Sequence, residues 1–174
     1  MKFLKIKKRI LALALIAATI IYPAVAVADD INDLGGVSSD DSSSDTVKKD
    51  ATSSDAIGNM LLQSVSLMGI AYKWGGNTPD TGMDCSGFVR YVFKKSLGIN
   101  LPRTAAEMAK VGKKVSPDDL EPGDLIFFNT RRGSNTHIGI YLGNNKFIQA
   151  PRTGENIKIT EFDGWWRQHF NGAK

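Results

Sequence analysis

The sequence predicts an α+β fold, with N-terminal helices packed on a small antiparallel β-sheet. Two observations carry this. Apolar residues recur at helical spacing in the first half of the region after residue 56, and short β-prone runs separated by turn residues fill the second half. Helices grouped ahead of an antiparallel meander define the α+β class.

Taken in order, residues 1–28 are expected to be a secretory signal peptide. Lys2, Lys5, Lys7, Lys8 and Arg9 form a positive n-region, Ile10 to Ile21 is apolar, and Ala26-Val27-Ala28 suits signal peptidase, leaving Asp29 as the first mature residue. The apolar run is shorter than the roughly 20 residues a spanning helix needs, so no stable membrane anchor is expected after cleavage. No cysteine lies near the cleavage region, which argues against a lipoprotein anchor. Residues 29–55 hold eight Asp against two Lys and few large apolar side chains, and are expected to form a disordered Ser/Asp-rich tether. A segment that orders on a partner is the alternative for that stretch.

The folded domain is expected over 56–174. Ile57, Met60, Leu61, Val65, Leu67 and Met68 predict a first helix. A Gly-rich loop follows, from Trp74 to Gly82. Phe88, Val89, Val92 and Phe93 share one face of a helix expected from Asp84 to Leu97, with Gly98 as its stop. A short helix is expected from Thr104 to Val111. Strands are expected at Asp124–Phe128, at His137–Leu142, at Lys146–Ala150 across a turn at Gly143-Asn144-Asn145, and at Asn156–Thr160.

The formal charge of +4 is unevenly spread: residues 1–28 carry +5, 29–55 carry −6 and 56–174 carry +5. The mild basic excess of the domain suits an anionic polymer such as the cell wall. Nucleic acid is not an expected partner, because it calls for denser basic clusters.

A single cysteine in an exported chain cannot form an internal disulfide, and a lone thiol outside the cytosol is a liability unless it is used. Cys85 stands at the start of the expected second helix, where unpaired N–H groups and the positive dipole end can lower a thiol pKa and hold an oxyanion. Burial as a small hydrophobe is the alternative. Of the two histidines, His137 opens a strand after a polar loop and can serve as base, whereas His169 near the C-terminus reads as surface decoration. Two His and one Cys are too few for a closed zinc site, and no metal is expected.

Tyr72-Lys73-Trp74-Gly75-Gly76, Asp84-Cys85-Ser86-Gly87-Phe88, Leu101-Pro102-Arg103-Thr104, Pro122-Gly123-Asp124-Leu125 and His137-Ile138-Gly139-Ile140-Tyr141 resemble the ordered motifs of the NlpC family of papain-like cell-wall peptidases. The resemblance covers nearly all of residues 57–162 and implies a papain-like fold and a cysteine endopeptidase acting on peptidoglycan stem peptides. Such enzymes commonly cut between γ-D-glutamyl and the diamino acid, and some cut the crosslink. It implies Cys85 as nucleophile, His137 as base and Gln149 as the third polar residue, where the family more often has His. It further puts the Tyr72 hydroxyl near the oxyanion site, and Asp84, Ser86 and Arg103 along the substrate cleft. The structural alternatives are Asp84 as helix N-cap, Ser86 in the first turn and Arg103 on the surface.

Gln149 falls 12 residues after His137 across a tight turn, so antiparallel pairing can bring the two side chains together. The expected mechanism passes through a thioacyl enzyme and uses no metal or organic cofactor. Alternatives are an amidase or acyltransferase on the same framework, and a non-catalytic wall-binding module. A monomer, exported to the periplasm or secreted to the cell wall, completes the expectation.

Overall fold

The computed structural model describes residues 44–174, with side chains from residue 53 onward. The expected signal peptide 1–28, and residues 29–43 of the expected tether, lie outside the described residues. Helix α1 runs Ser44–Ser66, followed by the two-residue strands β1 (Asn77–Thr78) and β2 (Gly82–Met83), then α2 (Cys85–Leu97) and α3 (Ala105–Met108). A 3-10 turn at Pro117–Asp119 leads to β3 (Leu125–Phe128), β4 (His137–Gly143), β5 (Lys146–Gln149), β6 (Lys158–Glu161), α4 (Gly164–His169) and β7 (Phe170–Ala173). Among the described residues no helix is long and apolar enough to cross a membrane.

The helices-then-meander order matches the expected class, with four differences, the smallest being the two-residue pair β1 and β2 where a Gly-rich loop was expected. Helix α1 begins at Ser44, inside the stretch 29–55 expected as a tether. The reason is cooperative: residues 44–57 contain neither Gly nor Pro, so a helix nucleated by the packed turns around Met60 can propagate backward through residues with modest propensity. The helix expected over Thr104–Val111 is a single turn, Ala105–Met108, opened by a capping box between Thr104 and Glu107. Helix α4 and strand β7 were not expected at all.

The sheet is antiparallel in the order β6-β5-β4-β3-β7. β4 and β5 are joined through Asn144-Asn145, both at positive φ (50° and 55°), as a two-residue primed hairpin turn requires and asparagine tolerates. Alternation along the strands splits the core between the two sheet faces. Leu125, Phe127, Ile138, Ile140 and Ile148 face α2, where Phe88, Val89 and Val92 are fully buried, with Met60 of α1 behind them. Ile126, Phe128, Tyr141 and Phe147 face the other way and are covered by Phe162, Trp166 and Phe170. The starts of α2 and β4 therefore come from elements packed directly on each other.

Candidate active site

Cys85 is the first residue of α2, and its position is set by the residue before it. Asp84 is the N-cap, with extended backbone (φ −82°, ψ 177°), and its Oδ1 accepts the Gly87 N–H at 2.7 Å. Its Oδ2 accepts the Gly75 N–H at 3.0 Å, tying the Trp74–Gly76 loop to the helix start. That loop sits so close that a Cβ on Gly87 would lie 2.1 Å from the Gly76 carbonyl oxygen. Glycine at 87 is thus a requirement of contact between loop and helix.

Arg103 completes this corner with a paired grip on Asp84, Nη1 donating to Oδ1 at 3.1 Å and Nη2 to Oδ2 at 2.7 Å, and with a further bond to Ser86 Oγ at 3.0 Å. Asp84, Ser86 and Arg103 are therefore one hydrogen-bonded cluster beside the thiol. Burial opposes the Asp84 charge, but the Arg103 donors and the Gly87 amide outweigh it and hold the carboxyl below its usual pKa.

The thiol itself departs from the expectation of a lowered pKa. Burial, and then the Asp84 carboxylate one residue away, push Cys85 up to about 11. The Ile138 and Ser86 N–H groups aimed at the sulfur favour the thiolate, but too weakly to compensate. The helix start helps an anion, yet the thiol is buried and its cap is already negative.

His137 opens β4, opposite Phe128 of β3, and is buried. Its ring lies among Phe128 and Trp166, with centroids 6.2 and 5.5 Å away. Burial pushes the imidazole down to about 4, and the positive charge of Arg131 adds to this. Gln149 Oε1 lies 2.6 Å from His137 Nε2, and the Gln149 Nε2 donates to Thr160 Oγ1 at 2.9 Å. Because a carbonyl oxygen only accepts, Nε2 carries the proton and Nδ1 is left as the basic nitrogen. Gln149 is fully buried, so it is no solvent-facing strand residue.

Two pockets meet at this point. One, of about 520 Å³, is lined by Cys85, Asp84, Ser86 and Arg103. The other, of about 570 Å³, is lined by His137, Gln149, Thr160 and Trp165. Tyr72, Trp74 and Arg131 line both, so the pockets are halves of one groove. Tyr72 is buried, and its hydroxyl pKa is raised by burial first and by the neighbouring Cys85 second.

His169 stacks on Trp165 with centroids 3.8 Å apart, and its Nδ1 bonds the Trp165 carbonyl oxygen at 2.7 Å. Among the described residues no group of three or more His, Cys, Asp or Glu could hold a metal ion. Arg131, Thr160, Trp165 and Trp166 are site residues that the sequence reading did not single out. Only the adjacent tryptophans gave a signal, as two large aromatics in a polar tail.

The family model of the NlpC/P60 family matches residues 69–174. The chain is similar to murein DD-endopeptidase MepH of Escherichia coli strain K12, at 45% identity over 120 residues, covering 67% of this chain and 43% of that protein. It is similar to gamma-DL-glutamyl hydrolase of Bacillus subtilis strain 168, at 43% identity over 117 residues, covering 66% of this chain and 28% of that protein. The chain thus spans less than half the length of either relative. A crystal structure of an NlpC/P60 family protein from Bacillus cereus ATCC 10987 superposes with a TM-score of 0.64 at 29% identity, covering 68% of this chain and 39% of that one.

Proposed function

The chain belongs to the NlpC/P60 family, and from that premise we propose that it is an exported cysteine endopeptidase hydrolysing peptide bonds in peptidoglycan stems. The observation that carries the reading is the hydrogen bond between His137 Nε2 and Gln149 Oε1, which leaves Nδ1 as the basic nitrogen of a side chain lining the pocket that adjoins that of Cys85. The names of the two relatives, a murein DD-endopeptidase and a gamma-DL-glutamyl hydrolase, support peptide bonds of the wall as the substrate. The papain-like architecture of the relatives supports the same roles.

The chemistry follows from the proton inventory. Cys85 rests as a thiol and His137 as a neutral imidazole. As Sγ attacks the scissile carbonyl carbon, its proton passes to Nδ1, and the carbonyl oxygen becomes an oxyanion beside the first-turn amides of α2 and the Tyr72 hydroxyl. The C–N bond then breaks, Nδ1–H protonates the departing amine, and a thioester remains. Water gives a proton to Nδ1 and attacks the thioester, which releases the acid and restores the thiol. The imidazolium is formed only while a negative charge exists beside it, which makes it tolerable at a buried position.

Asp84, Ser86 and Arg103 form the floor of one side of the groove and hold the substrate chain there. The protein acts as a monomer, without a metal or organic cofactor, in the periplasm or at the cell wall. Sequencing the N-terminus of the protein recovered outside the cytoplasm tests export, with Asp29 as the expected first residue. Incubation of the purified protein with stem peptides tests the chemistry. Hydrolysis should be complete with the wild type and absent with Cys85→Ala, and stem hydrolysis by Cys85→Ala would overturn the assignment.

A further inference from the structure

Arg131 occupies a place in the groove that the mechanism does not use. Its guanidinium carbon lies 4.8 Å from the centroid of the Trp74 ring, and the group also interacts with the Tyr72 hydroxyl. These contacts carry it from the loop before β4 across to the loop before β1, where it borders both the Cys85 side and the His137 side of the groove. The other cations there are engaged or confined to one half. Arg103 is gripped by Asp84, and Arg152 and Lys158 both pair with Glu155. Arg132 lines only the Cys85 side. Among the described residues Arg131 makes no ion pair, and it is the cation that lines both pockets. A guanidinium held over an aromatic face in the wall of the groove, with no carboxylate of its own among the described residues, is arranged to receive one.

We propose that Arg131 binds a free carboxylate on the substrate next to the scissile bond, and so selects free-acid stem peptides over their carboxamide forms. This rests on the stem-peptidase reading. A γ-linked glutamyl residue keeps its α-carboxylate free on the acyl side of the bond. In a crosslink, a diamino acid whose second amine stands beside a carboxyl group presents the same charge on the leaving side. Because Arg131 borders both halves of the groove, it can reach either.

The test is the ratio of kcat/KM for two pairs of synthetic peptides. One pair differs only in carboxylate against carboxamide at the γ-linked glutamyl residue, the other only in the same change beside the crosslinking amine. The wild type should favour the acid in at least one pair by about 10- to 100-fold, mainly through KM. Arg131→Gln should bring that ratio close to one, and Arg131→Lys should keep part of it as a point charge without the fork. The pair showing the preference identifies which carboxylate is bound. An acid-to-amide ratio near one in the wild type overturns the proposal, as does a ratio that survives Arg131→Gln while overall rates fall. Cleavage of none of the four peptides would sink the stem-peptidase reading, and the proposal with it.

Discussion

At the residue scale, the two groups proposed to react, Cys85 and His137, stand out in the sequence as residue types, but their resting charges do not. A cysteine at a helix start suggests a thiolate, whereas the structure adds burial and an acidic cap, whose combined effect is larger and opposite. In the proposed mechanism the attacking thiolate therefore forms during the reaction. Iodoacetamide labelling of Cys85 in the free protein should be slow at pH 7 and climb steadily between pH 8 and 10; a rate already at its plateau by pH 6 would mean a preformed ion pair. For turnover, kcat/KM should be flat from about pH 5 to 9 and fall on the acid side near 4, where His137 takes up a proton and ceases to be a base. Gln149 was legible through register alone, since a tight turn brings its strand back beside His137. Gln149→Ala should lower kcat by roughly 5- to 150-fold, the worth of about 1–3 kcal/mol of orientation. Gln149→His, which can accept the same bond, should recover much of that, and wild-type rates in Gln149→Ala would remove Gln149 from the mechanism.

At the scale of elements, those with strong periodicity or strong turn chemistry could be read directly. The apolar face of α2, its Gly98 stop and the Asn144-Asn145 hairpin are local properties, and each is found where local rules put it. Helix α4 and strand β7 are of another kind. Trp165 and Trp166 are neighbours rather than one turn apart, and Phe170–Ala173 contains one large apolar residue, so neither segment carries a period. Strand β7 exists because the backbone groups of Leu125 and Lys174 pair reciprocally, at 2.9 and 3.0 Å, an interaction invisible in side-chain patterning. The Asp84 corner belongs to this scale too, because it joins a loop to a helix. Gly87→Ala should force the Gly75–Gly76 loop away from α2, costing about 1–3 kcal/mol in urea unfolding together with most of the activity. Unchanged stability and rate in that variant would mean the loop is not held by this contact.

At the scale of the whole molecule, the site's burial links function to stability. Unfolded His137 titrates near 6.5 and folded His137 near 4, so the unfolded chain binds the proton first as pH falls. The contribution is fully present above about pH 6.5 and is lost on the way down to 4, an amount of about 3 kcal/mol. Cys85, raised from 9.0 to about 11, acts in the opposite range, and stability is lost as pH rises through that window. Urea midpoints should therefore be highest between about pH 6.5 and 9, and His137→Asn should flatten the acid slope; an equal slope in that variant would place its origin elsewhere. The fold class was readable from the order of its elements. The groove was only half readable, because Arg131 and Thr160 come from segments whose residue types fit any polar surface, and the tryptophan pair, though conspicuous, carries no period that would place it. The central claim, a Cys85 peptidase of peptidoglycan stems, is tested most directly by mass spectrometry of purified peptidoglycan after digestion. Wild-type protein should release fragments ending at hydrolysed stem-peptide or crosslink bonds, and both Cys85→Ala and His137→Ala should leave the polymer intact. Fragments cut only in the glycan strands, or the same stem fragments from Cys85→Ala, would contradict it.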